Sequence, residues 1–109
     1  MHDANFDRVK AEILQNTFLY DLRLKFRIEM DEYERLCKSL NALAPIWNSS
    51  QEIDKELMSH LYRMSDVAYF QSKVPQYGAE KSALLLQMAR NLNELIGACL
   101  ALNKSAPSE

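Results

Sequence analysis

The sequence predicts an all-α domain, a three- or four-helix bundle with a long first helix, and three observations carry that prediction. Glycine and proline are scarce, two and three in 109 residues, whereas an all-β fold needs a turn every ~8–12 residues. Apolar residues recur at helical spacing along most of the chain. Opposite charges stand four positions apart, where a helix brings them together: Asp21 with Lys25, Asp31 with Arg35, Glu34 with Lys38.

The first helix is expected over residues 5–43, with Pro45 ending it. Within it, Leu22-Arg23-Leu24-Lys25-Phe26-Arg27-Ile28-Glu29-Met30 alternates apolar and charged residues, the period of a half-buried strand. Nothing else in the chain alternates to pair with it, and a lone strand leaves its backbone groups unmet. Helix is therefore the expectation there too. At ~100° per residue, Leu22, Phe26, Met30, Tyr33, Cys37 and Leu40 form one stripe. Phe6, Val9, Ile13, Tyr20 and Leu24 form a second, rotated by about a third of a turn or more.

Two arrangements accommodate that change of buried face. The helix breaks near Asn16-Thr17 and its first piece folds back, or it runs unbroken for about 57 Å and overhangs partners of about 36 Å. Such an overhang is a natural contact for a second copy, and a homodimer is expected.

The second helix is expected to open on Ser49-Ser50-Gln51-Glu52, a capping-box pattern in which serine and glutamate satisfy each other's backbone N–H groups. Its core face is Ile53, Leu57, Leu61, Met64 and Ala68, and nearly opposite stand Met58, Tyr62, Ser65 and Tyr69. Pro75 and Gly78 mark a turn before a third helix over 79–102. That helix carries Leu84, Met88, Leu92, Leu95, Cys99 and Leu102, flanked by Leu85, Ala89, Ile96 and Leu100, an arc wide enough to make it the most buried. Residues 1–103 read as one domain and 104–109 as a flexible tail.

Composition narrows the function classes. With 48% hydrophobic and 26% charged residues the chain can build a core. Thirteen basic against fifteen acidic residues leave a net charge of −2, without the basic excess of a phosphate-binding protein. The cluster Arg8, Lys10, Arg23, Lys25 and Arg27 is blunted by Asp21, Glu29 and Asp31, and Phe26 reads as core. Nucleic acid is a secondary alternative only. Two cysteines make no disulfide framework. Absence of a leader pattern and of a bilayer-length apolar run points to a soluble, cytoplasmic protein without membrane contact.

Chemistry-bearing residues are few. His60 lies in Ser59-His60-Leu61-Tyr62-Arg63-Met64, with a cation three positions on. This resembles histidine-phosphotransfer domains, four-helix bundles whose phosphorylated histidine is followed by a basic residue at the third position and a glycine at the fourth. Arg63 matches the cation, whereas Met64 stands where that family has glycine, and His60 falls at the edge of the core face. Phosphotransfer through His60 is therefore the alternative reading. His2, His60, Cys37 and Cys99 lack ligand spacing, so neither metal nor cofactor is expected. Cys99 is on an apolar face without a neighbouring base, and no catalytic residue is assigned.

The leading expectation is a non-enzymatic protein-interaction module of the adaptor, chaperone, inhibitor or immunity type. Its partner is another protein, and its contact residues are Met58, Tyr62 and Tyr69 on the second helix and Tyr20, Leu24 and Ile28 on the first.

Overall fold

In a computed structural model that describes residues 4–50 and 52–100, the expected first helix is three helices. These are α1 (Ala4–Gln15), α2 (Phe18–Lys25) and α3 (Met30–Asn48); α4 (Lys55–Gln71), a 3-10 turn at Pro75–Tyr77 and α5 (Gly78–Cys99) follow. The protein is all-α, with no strand among the described residues. Gln51, Leu102 and the tail expected over 104–109 lie outside those residues.

Each break has its own chemistry. At the first, Asn16 accepts the Phe18 N–H through Oδ1 at 2.9 Å and donates through Nδ2 to the Glu32 carbonyl at 2.8 Å. The Thr17 N–H donates to the Glu32 carboxylate at 2.8 Å. Asparagine thus supplies the local turn, and an α3 carboxylate takes the N–H that a continuous helix would have consumed. The Thr17 N–H, then the Thr17 hydroxyl and Arg35, hold the Glu32 carboxyl below its ordinary range. Folding back lets α1 pack on α3, with Val9 and Ile13 fully buried.

The second break is at Phe26, the only non-glycine described residue at positive φ (φ 50°, ψ 41°). The Phe26 N–H and, at 3.1 Å, the Arg27 N–H both close back on the Asp21 carbonyl, a left-handed end to α2. The alternating segment 22–30 is therefore neither strand nor continuous helix: it is the last turn of α2 and the link to α3. Its stripe is cut as well. Leu22 and Leu40 are buried, whereas Phe26 and Met30 are exposed, because the left-handed residue swings the chain away from the helical path. Phe26 rests its ring edge-on against Tyr77, centroids 5.9 Å apart. With the helix broken twice, no overhang remains to serve a second copy.

Pro45 does not end α3, which runs on to Asn48. Proline costs one i→i−4 hydrogen bond there, but Leu43 and Trp47 bury on the face shared by Leu36 and Leu40. The helix ends one turn later, where the Ser49 hydroxyl lies 3.0 Å from the Pro45 carbonyl. Ser49 is thus an end and not a beginning. Ser50 accepts the Glu52 N–H at 3.1 Å in a local turn, and α4 starts at Lys55 with Asp54 capping the Leu57 N–H at 2.9 Å. An aspartate does this better than the serines, since its charge also meets the positive end of the helix dipole.

The core expected of α4 is observed: Leu57, Leu61, Met64 and Ala68 are buried, and Ile53 packs partly against them. α5 lies against both α3 and α4. Its buried face is Leu85, Met88, Ala89, Leu92, Ile96 and Cys99, rotated toward the flanking residues so that Leu84 is exposed. The extents are 45 × 34 × 20 Å. The thinnest is about two helix diameters, so each helix keeps a face toward solvent.

Candidate interaction surface

The short α2 is held at both ends, and that places its outer face. Its start is fixed by the Asn16–Thr17–Glu32 bonds. At its end the Tyr77 hydroxyl donates to the Leu22 carbonyl at 2.6 Å, which helix termination had left without an i+4 partner. Phe18 and Leu22 go inward, and α2 comes to rest beside α4.

Between them is a groove of about 250 Å³. Its floor is apolar: Ile13 of α1, Leu36 of α3 and Met64 of α4, all buried. One wall is Leu19, Tyr20 and Arg23 of α2; the other is His60, Arg63 and Val67 of α4. Arg23 and Arg63 are exposed, and among the described residues neither is in an ion pair. His60 is half-buried, and burial, then the Arg63 charge, pushes its pKa below the ordinary 6.5. Neutral imidazole is therefore the resting form at neutral pH.

The six contact residues expected from sequence fall into three groups. Tyr20 and Leu24 are 55% and 62% exposed, one turn apart on α2. Tyr62 and Tyr69 are 71% and 44% exposed. They share a line on α4, but at ~100° per residue that line is well over a quarter-turn away from the groove wall. Met58 and Ile28 are half-buried and packed against the core. Phe70, 65% exposed, sits between the tyrosine line and the groove wall, with its ring against that of Tyr69. The signal for it was in the sequence, since Phe70 falls nearly opposite Leu57 on the helical wheel. Lys25 and Lys73 lie over the rings of Tyr20 and Tyr69, at 5.8 and 5.1 Å, so both tyrosines carry a cation beside an apolar face.

Two other grooves differ in their charge. The larger, about 850 Å³ beside Phe6, Trp47 and Ile53, contains Lys10 already bound to Asp54 at 2.8 Å, and Lys10 also reaches Glu56 at 3.0 Å. The one between α1 and α3, about 320 Å³, holds Glu12 paired with Arg8, and Glu32 paired with Arg35.

The remaining chemistry-bearing residues are placed as follows. Cys37 and Cys99 are free thiols. Cys99 is fully buried and donates to the Leu40 carbonyl at 3.3 Å; Cys37 is half-buried and takes a long contact from Asn91 Nδ2 at 3.7 Å. Among the described residues no three His, Cys, Asp or Glu side chains converge as metal ligands, and no helix is long and apolar enough to cross a membrane. No protein-family model, curated protein or solved structure matches this chain.

Proposed function

We propose that the chain is a small helical bundle acting as a non-enzymatic protein-interaction module, an adaptor or inhibitor that docks on another protein through α2 and α4. One observation carries the reading. Tyr20, Leu24, Tyr62, Tyr69 and Phe70 are all exposed on two adjacent helices. Scattered single apolar residues are ordinary on a surface, whereas several large ones gathered on two neighbouring helices, here a pair on α2 and a line with Phe70 on α4, favour contact. Aromatic residues suit that use because they offer wide apolar area at little cost in side-chain entropy. The homodimer is the self-associating form of the same reading, with this face meeting its own copy.

A photo-crosslinking amino acid placed at Leu24 or Tyr62 tests the reading in the native cell. Discrete adducts from both positions, and none from Glu12 or Lys38 on the α1–α3 side, are expected. Adducts at twice the chain mass, with a concentration-dependent mass by light scattering, identify the homodimer. Equal labelling from all four positions, or none from any, overturns the reading.

A further inference from the structure

Within that reading, on which this inference rests, we infer that the α2–α4 groove recognises an acidic peptide segment of the partner, with one large apolar side chain in the groove and flanking carboxylates on Arg23 and Arg63. Size gives the first argument. Pockets that enclose whole small molecules run roughly 300–1,000 Å³, and this groove, at about 250 Å³ and open along one side, is smaller. It suits a single side chain delivered by a longer chain that continues over the surface. The floor of Ile13, Leu36 and Met64 is apolar, so the inserted group is aromatic or large aliphatic.

Charge gives the second argument. Arg23 and Arg63 stand on opposite walls of one groove with no acidic partner among the described residues. The acids nearest in sequence are engaged or directed elsewhere. Asp21 is largely buried, 3.1 Å from the Thr17 hydroxyl and 3.8 Å from Lys25. Glu29 pairs with Arg27 at 3.4 Å, and Asp66 is exposed on α4 without an ion pair to Arg63. The other two grooves mix signs: one holds the Lys10–Asp54 pair beside Glu52, the other the Glu32–Arg35 pair beside Lys38, so neither presents two cations alone. Guanidinium groups bind carboxylates bidentately, which fixes both the sign and the orientation of a bound segment. The whole chain carries a net charge of −2, so the attraction is local to the groove and not a long-range field.

Panning a library of random linear peptides displayed on phage against the full chain tests this. Enriched clones are expected to share one aromatic or large aliphatic residue with Asp or Glu within about one helical turn. A synthetic peptide from them should shift the Met64 methyl and His60 ring resonances. Its affinity should fall by about twofold to fivefold for Arg23→Gln and for Arg63→Gln, as exposed ion pairs do. Each Arg→Lys variant should retain part of it. Val67→Phe, which fills the groove without touching its charge, should abolish binding while circular dichroism stays unchanged. Enrichment of neutral or basic peptides, binding indifferent to both arginines, or no enrichment at all overturns the inference. Any of these alongside specific crosslinks from Leu24 and Tyr62 discards the acidic-peptide assignment and leaves the docking face standing; loss of both discards the face as well.

Discussion

The hydroxyl of Tyr77 donates to the carbonyl of Leu22 at 2.6 Å, joining the turn before α5 to the end of α2. The Tyr77 side chain is buried, and burial holds its phenol protonated by raising its pKa. This bond ties the end of α2 to the segment that leads into α5. Tyr77→Phe keeps the ring against Phe26 and removes only the donor, leaving a carbonyl at a helix end unmet. The expected cost is about 1–3 kcal/mol, read from urea denaturation. Hydrogen exchange should accelerate in α2 more than in α5, because α2 loses one of its anchors while α5 keeps two neighbours.

How much of this was legible in the sequence depends on whether one periodicity decided the matter. The core face of α4 and the double contact of α5 follow from spacing alone, and both are observed. The break at Asn16-Thr17 was visible as one of two options, since the buried face changes there. What separates the options is Glu32, fifteen positions on, whose carboxylate receives the Thr17 N–H; no local pattern contains that. Pro45 misleads because its cost is one hydrogen bond, and burial of Trp47 beyond it outweighs that loss. At Ser49-Ser50 the capping pattern competes with Asp54 for the start of α4, and the charged cap prevails. The groove itself was not legible. Its two arginines are forty positions apart and meet only because α2 folds against α4.

Two glycines separate backbone conformation from space. Beyond the adjoining residues and the local helix backbone, neither Gly78 nor Gly97 has an atom within 4 Å of an added Cβ. Gly78 has φ 79° and ψ 169°, a region that L side chains essentially avoid. Gly97 is within α5. Gly78→Ala is therefore expected to destabilise by about 1–3 kcal/mol, and Gly97→Ala to stabilise by up to about 1 kcal/mol. Thermal melts should move in opposite directions. A common direction would contradict the backbone assignment at the α5 entrance.

Acid sensitivity follows from three groups, each held below its ordinary pKa. His60 is lowered by burial and then Arg63, Glu32 by the Thr17 N–H first, and Asp54 by Lys10 first. In each case the unfolded chain binds more protons than the folded one, so stability rises with pH across the window. Stability should begin to fall below pH 6.5 as the unfolded-state imidazole protonates, and fall again below 4.5 and 3.8 for Glu32 and Asp54. His60→Gln should remove the first decline in urea midpoint and leave the second.

Asp54 combines a helix cap with an ion pair, and two variants divide the roles. Asp54→Asn can still accept the Leu57 N–H but loses the charge facing Lys10. Asp54→Ala loses both. Alanine is expected to cost about 1–2 kcal/mol, in the range of a deleted N-cap. Asparagine should cost less than half of that, since the ion pair is partly solvated and contributes little. Equal losses in chemical denaturation would assign the stabilisation to the charge and not to the cap.

The two thiols report on packing between α3 and α5. Cys99 is fully buried and donates to the Leu40 carbonyl at 3.3 Å, and burial pushes its pKa up to about 11. Thiolate is the reactive form, and at pH 8 only about a thousandth of Cys99 would carry it even without the steric block. Cys37 is raised by burial as well, but it is half-buried and reachable. A disulfide reagent at pH 8 should therefore modify one thiol slowly in the native protein and the second only as the fold opens. Cys37→Ser should leave no native-state reactivity, and urea above the midpoint should expose Cys99 at once. Equal rates for both cysteines in the native protein would mean that α5 does not seal Cys99 against α3.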